Sequence, residues 1–294
     1  MTTGHDLGAI MSERRQLINL AYRLLGSLAD AEDVVQETYV RWYAMSPRQQ
    51  NAIEAPGAWL TRVAGRICLD LLGSARARRE SYVGEWIPEP LPGAADGTVT
   101  DPADRVTLDE SVNMAFLVVL ESLTPAERVA FILHDVFRYP FAEVAEIVGR
   151  SPAACRQLAS SARRRIRASE PSSALATQRT CVVSAFKQAW EAKDNNALIG
   201  LLDPDVTATG DGGGLVTAVL RPITGAEQVA RFFTDRARQL ADVTILERAV
   251  NGQAGLVVQL DGVTVSVLAF DIADDRIKHI WAVLNPEKLR PWTR

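Results

Sequence analysis

The hydrophobic period of this chain changes at Pro171, and that change limits its architecture more than any other feature. Before it, apolar residues recur at the spacing of helices; after it, they mostly alternate as in half-buried strands. One layer of one element type cannot bury both patterns, so the sequence predicts two all-α segments followed by an α+β domain. A length of 294 residues leaves room for that many cores.

In the first part, Leu17, Ile18, Leu20, Ala21, Leu24 and Leu25 form one helical stripe that Gly26 ends. Asp30 is read as the N-cap of the next helix, whose stripe is Ala31, Val34, Val35, Thr38, Tyr39 and Trp42. A polar loop, Ser46–Pro56, leads to a third helix over about Gly57–Leu72, with Leu60, Val63, Ala64, Ile67 and Leu71 inward. Arg76–Arg105 carries Pro88, Pro90, Pro92 and Pro102 and shows no period, so it reads as a linker. Within it, Trp86-Ile87-Pro88-Glu89-Pro90 is apolar enough to dock on a neighbouring domain. Helical spacing resumes at Asp109, and Thr124-Pro125-Ala126-Glu127 is a capping box with Pro at the first helical position. After Pro171 come helices over Val182–Ala192 and Ala197–Leu202, a strand over Asp205–Thr209 and the turn Asp211-Gly212-Gly213-Gly214. A helix over Gly225–Leu240 precedes four strands with tight turns such as Asn251-Gly252 and Asp261-Gly262, an antiparallel pattern. The expected bounds are 7–75, a linker over 76–108, 109–170, and 176–294.

Net charge is −4, which on average argues against an anionic partner. Resolved along the chain, it is uneven. Trp59–Arg79 holds five Arg and one Asp, Arg150–Arg167 holds six Arg and no acid, and Asp30–Glu37 holds four acids and no base. Two anionic contacts and one cationic contact follow, unless these runs are merely solvated helix faces.

The most specific pattern is Phe141–Gly149 followed by Arg150-Ser151-Pro152. Ala145 is small enough for a tight helix crossing, and Gly149 takes a left-handed turn without strain. Ser151 then caps a new helix. Cys155 and Leu158 face inward, leaving Arg156, Gln157, Ser160, Ser161, Arg163 and Arg164 outward, with Arg150 and Ser151 at the entry. That is the layout of a helix-turn-helix whose second helix enters the major groove. Arg156 and Gln157 suit base edges, and the cluster from Arg163 suits phosphates. A plain helical hairpin with a basic tail is the alternative. In the other basic stretch, Trp59, Arg62 and Arg66 share a helix face, and Arg76, Arg78 and Arg79 follow. An aromatic among arginines suits an unpaired strand; a core Trp beside solvated arginines is equally compatible.

Together these residues resemble a bacterial sigma factor of the extracytoplasmic-function class. Asp30–Trp42 resembles region 2.2, which grips the clamp helices of the polymerase β′ subunit; the resemblance gives that role to Asp30, Glu32, Asp33, Gln36 and Glu37. Ala58–Asp70 resembles region 2.4, which reads the −10 element as it melts, and Leu123–Arg167 resembles region 4, which reads the −35 element. The implied partners are RNA polymerase core, through the β′ clamp helices and the β flap, and promoter DNA. The tail resembles a SnoaL-like, cone-shaped domain of the nuclear-transport-factor-two-like superfamily, carried by one sigma subgroup in place of a separate anti-sigma protein. The resemblance makes Trp86, Pro88, Asp211, Gly212, Gly213, Gly214, Asn285, Pro286, Lys288 and Leu289 regulatory contacts. Three adjacent glycines also fit a close backbone approach.

No catalytic constellation, cofactor motif or metal spacing is evident: His279 is the tail's one histidine. A cytoplasmic, non-membrane protein without cofactor or metal is expected, since no apolar run reaches the ~18 residues of a membrane span, no secretory leader is seen, and the three cysteines are scattered. Two other readings stay open. One is a one-component helix-turn-helix regulator with a ligand-sensing tail; the other is a SnoaL-type enzyme with a helical appendage.

Overall fold

Gly26 adopts the left-handed conformation (φ 70°) that ends α1 (His5–Leu25), and Ser27 starts α2 (Leu28–Tyr43). This corrects the expected cap: the Ser27 hydroxyl accepts a hydrogen bond from the Asp30 amide at 3.2 Å. Asp30 therefore lies in the first turn, where a carboxylate complements the helix dipole. The chain is described by a computed structural model covering residues 5–80, 82–93, 112–168, 176–239 and 243–293. The expected polar loop contains α3 (Pro47–Asn51), closed by a Ser46–Gln49 capping box. α4 (Pro56–Glu80) runs past the predicted end at Leu72. Leu60, Ala64, Cys68 and Leu72 are buried, as is Thr61, while Val63, Ile67 and Leu71 are half-buried.

α5 (Met114–Glu121) and α6 (Pro125–Phe131) follow, the second opened by the predicted Thr124–Glu127 box. A π turn over Ile132–Val136 leads to α7 (Phe141–Val148) and α8 (Pro152–Ala168). Cys68 and Cys155 are buried, and burial raises both thiols, as suits small core residues rather than reactive ones.

The described residues form two units. The first holds 5–80 and 119–168; the second holds 82–93, 112–118, 176–239 and 243–293. The second contains α9 (Ala176–Glu191), α10 (Asn195–Leu201), β1 (Leu202–Asp211), β2 (Ile223–Thr224) and α11 (Ala226–Gln239). β3 (Val243–Val250), β4 (Gln253–Leu260), β5 (Val263–Ala273) and β6 (Arg276–Val283) complete a sheet of order β2-β1-β6-β5-β4-β3. The α+β architecture is as predicted, but the sheet is mixed: β1 pairs with β6 in parallel, Ala208 opposite Ile280. Alternation reports which face is buried and not which way a strand runs; the long connection from β1 to β6 permits the parallel pairing. Asn251-Gly252 and Asp261-Gly262 turn with φ of 49° and 74°, and 51° and 78°. Asp274-Asp275 turns likewise (51° and 63°) without glycine, which its sequence did not advertise.

One sheet face packs on α9–α11 through the rings of Phe186, Trp190, Phe233 and Phe270. The other face, with Val257, Val267, Ala269 and Trp281, is covered by Ile87, Met114, Ala115 and Leu289. Residues 82–93 are therefore not a free linker: α4 extends through Glu80, and the stretch beyond is an ordered strap on the sheet. Burying Ile87, Pro88, Pro90 and Leu91 supplies the reason, since a segment this apolar gains by leaving water.

Candidate nucleic-acid interface

Gly149 (φ 70°, ψ 35°) makes the turn between α7 and α8, and the Ser151 hydroxyl accepts from the Ala154 amide at 3.2 Å. Cys155, Ala159 and Ala162 anchor α8 inward. Arg150, Ser151, Arg156, Gln157 and Arg164 are exposed, and Ser160 and Leu158 half-buried. Several of them line a groove of about 1080 Å³ that also includes Arg167. Its volume and cationic walls suit a polyanion. The Arg156 guanidinium lies over the Phe141 ring at 5.3 Å, and His134 stacks on that ring at 3.7 Å. His134 Nδ1 meets the Tyr139 carbonyl at 2.8 Å; a carbonyl only accepts, so Nδ1 carries a proton.

Two residues expected on this surface are engaged within the first unit. Arg163 lines the same groove and makes a fork to Asp135, at 2.6 Å and 3.2 Å. Ser161 bonds Glu127: burial tends to raise that carboxyl, but Ser161, Thr124 and Arg165 together hold it below the usual range.

On α4, Arg62 pairs with the Glu146 carboxylate at 3.0 Å, and Arg66 donates to the Glu146 carbonyl at 2.8 Å. Trp59 is half-buried, its ring 5.3 Å from that of Trp42 and tilted by 60°. The core-Trp alternative thus describes much of its environment. Arg76, Arg78 and Arg79 fall on side chains outside the described residues. On α2, Glu32, Asp33, Gln36 and Glu37 are exposed, whereas Asp30 is half-buried near Cys68, whose thiol its charge helps to raise. Glu37 is tied to Arg41 at 2.8 Å. Val40 and Tyr43 continue the exposed stripe with large apolar surface, a feature charge counting missed.

In the second unit the motif residues converge. The Asp211 carboxylate accepts from the Ile87 amide (3.0 Å), the Lys288 ammonium (2.7 Å) and the Tyr82 hydroxyl (2.6 Å). Lys288 also donates to the Ile87 carbonyl and lies 4.1 Å from the Trp86 ring centre. Asn285 donates to the Tyr82 oxygen at 2.9 Å. Asp211 is the last residue of β1 rather than part of the turn. A Cβ on Gly213 would sit 2.4 Å from Asn285, and one on Gly212 would sit 2.3 Å from the Val216 carbonyl, which accounts for the glycine run. Pro88 and Leu289 are buried, and Pro286 is exposed. Sequence reasoning missed Tyr82, Asn251 and Trp292. Asn251 accepts from the Leu91 amide (3.0 Å), and Trp292 donates to the Pro90 carbonyl (2.8 Å), fastening the strap's far end. Nothing local marks a turn Asn or a terminal Trp as a clasp.

Among the described residues, no group of three or more His, Cys, Asp or Glu could hold a metal, and no helix is long and apolar enough to cross a membrane.

Comparison with known proteins places these features in a family. Residues 9–78 match the model for Sigma-70 region 2, and residues 113–166 match that for Sigma-70, region 4. The chain is 40% identical over 298 residues to the ECF RNA polymerase sigma factor SigJ of Mycobacterium tuberculosis, covering 94% of this chain and 90% of that protein. It is 29% identical to SigG of the same species, covering 92% and 79%. The crystal structure of M. tuberculosis extracytoplasmic function sigma factor SigJ is similar with a TM-score of 0.78 and 36% identity, covering 97% of this chain and 98% of that one.

Proposed function

Since this chain belongs to the extracytoplasmic-function RNA polymerase sigma factors, which bind core polymerase and promoter DNA, we propose how its residues divide that work. The exposed acids of α2, Glu32, Asp33, Gln36 and Glu37, dock on the β′ clamp helices, and the α6–α8 segment meets the β flap. Trp59, Arg62 and Arg66 of α4 meet the melted −10 strand. Arg150, Ser151, Arg156, Gln157, Ser160 and Arg164 meet the −35 duplex, with Arg156 and Gln157 at base edges and Arg164 on phosphate. The observation that carries this reading is α8, which leaves the Gly149 turn with its apolar side anchored and its cationic side open.

The SnoaL-like tail regulates rather than catalyses, acts in the cytoplasm, and takes the place of a separate anti-sigma protein. In support, its signature residues are spent on one another and on the strap, through Asp211, Lys288, Tyr82 and Asn285, rather than around an open reactive centre. The strap is part of the chain that joins region 2 to region 4, so whatever loosens it alters that connection. A chain cut before α9 would bare Ile87 and Met114, so point variants of the full chain are the better probe. The test is run-off transcription with core polymerase on a genomic library. The full chain is expected to direct defined start sites, and Asp211→Asn to change their yield. No specific start sites, with no binding to core, would sink the assignment of sites; unchanged yield in Asp211→Asn would sink the regulatory tail.

A further inference from the structure

We propose that Phe141, backed by His134, is a positioning residue that aims Arg156 at one guanine of the −35 duplex. This rests on the assignment of Arg156 to base edges made above.

The half-buried Phe141 opens α7, and its ring has two neighbours. His134 stacks on it with centroids 3.7 Å apart and planes tilted by 24°. The Arg156 guanidinium lies over it at 5.3 Å, inside the ~6 Å reach of a cation–π contact. His134 is itself held, because its Nδ1 proton goes to the Tyr139 carbonyl at 2.8 Å. The backbone departs from regular helix to make that bond. Ile132–Val136 is a π turn, and Arg138 just beyond it takes a φ of 63°, which a residue with a Cβ rarely adopts. Such costs persist where the surrounding fold holds them, commonly beside functional side chains.

Arg163 shows the other way to hold an arginine. It lies two turns beyond Arg156 on the same face of α8, with Ser160 between them. Two successive residues of the π turn serve these two arginines, although a regular helix would point them roughly 100° apart. Asp135 holds Arg163 by accepting from two of its nitrogens, at 2.6 Å and 3.2 Å. His134 supports Arg156 through the Phe141 ring instead. A carboxylate occupies the N–H fork of the guanidinium. A phenyl ring has no lone pair to accept it, so the fork stays available. That fork is what guanine O6 and N7 accept together, the commonest specific contact in the major groove.

Arg156 is exposed, and an untethered arginine gives up its rotamer freedom when it meets a base. Held over the ring, it has given up part of that freedom beforehand. Rotamers that swing its charge away toward the backbone forfeit the ring. Phe141 acts through Arg156, so its loss changes which base is preferred at one position and leaves the rest of the readout alone.

The experiment selects from a pool of random-sequence duplex DNA with holoenzyme made from core polymerase and the full chain, and reads the bound sequences base by base. The unmodified chain is expected to favour guanine at one −35 position by about tenfold, and Arg156→Ala to erase that preference. Phe141→Leu keeps apolar bulk without the ring. It is expected to lower the preference about two- to fivefold, with the other positions unchanged. Phe141→Tyr, which restores a ring, should recover it. Added to Arg156→Ala, Phe141→Leu should lower it no further. A guanine preference intact in Phe141→Leu, or a loss spread evenly over all positions, overturns the proposal and leaves the assignment of Arg156 standing. Absence of any guanine preference that depends on Arg156 overturns that assignment and the proposal with it. If Phe141→Leu enriches no sequence it has not folded, and a trifluorinated phenylalanine at the same position decides. It keeps the shape of the ring and withdraws negative charge from its face. A loss of about twofold or more at the guanine position alone is then expected; no loss overturns the proposal.

Discussion

Arg62 and Glu146 meet at 3.0 Å with 39% and 54% of their side chains exposed, whereas Lys288 and Asp211 meet at 2.7 Å with 11% and 0% exposed. The first pair joins two helices of the first unit; the second joins the C-terminal segment to the end of β1, and both its partners also bond the strap at Ile87. Water replaces either partner of the exposed pair when it breaks, so that pair contributes little and parts easily. Breaking the buried pair strands a charge in a place water cannot reach, so it persists. Near-equal distances thus accompany opposite behaviour, and burial rather than bond length decides which pair parts.

The sharpest way to break this contrast is Lys288→Met, which leaves Asp211 buried without its ammonium. A loss of about 3–5 kcal/mol is expected in denaturant unfolding of the full chain. A loss under about 1 kcal/mol would show the fastening to be no stronger than the exposed pair.

Arg156→Ala is expected to cost about 1–3 kcal/mol at one position of the −35 duplex, read by competition among single-base variants. Equal loss on every sequence would count against base readout. Tyr82→Phe removes a donor to Asp211 and should cost about 1 kcal/mol at neutral pH. Burial first, and the Asp211 bond second, push the Tyr82 phenol above its ordinary range. The neutral phenol is thus the form the fold favours. Its stabilisation is complete below the unfolded value of about 10 and declines as pH rises through it. Unfolding midpoints of wild type and Tyr82→Phe at pH about 8 and about 10.5 should converge at the higher pH; a constant gap would remove the phenol from the fastening.

Smaller effects separate the arginines of α8. Arg164→Ala is expected to lower the salt slope of duplex binding by about 1, and Arg163→Ala, already forked to Asp135, to leave it nearly unchanged. Equal slopes for the two would show that Arg163 leaves Asp135 on DNA. Last, Glu146→Gln should change stability by less than about 1 kcal/mol. A larger loss would place its pair with Arg62 among the fastenings.

Much of this was legible because it is local. The stripes of α1, α2 and α4, the Thr124–Glu127 box, the Gly149 turn and the two Gly-containing hairpins follow from which residue types tolerate which backbone and which face of an element is apolar. The cap shifted from Asp30 to Ser27 because two capping residues lay within one turn, and only the path of the chain chose between them.

By itself, then, the sequence determined the element types, the helix-turn-helix and where positive charge concentrates. Only the tertiary structure decided which of that charge is available. Arg62, Arg66 and Arg163 count equally with Arg156 and Arg164 in composition, yet Glu146 and Asp135 hold the first three from elsewhere in the chain. Tertiary structure also set the parallel pairing of β1 with β6 and turned residues 82–93 from a linker into a strap. Periodicity records which face of an element leaves water, whereas a partner, a strand direction and a docking site belong to residues far apart in sequence, joined only when the chain has folded.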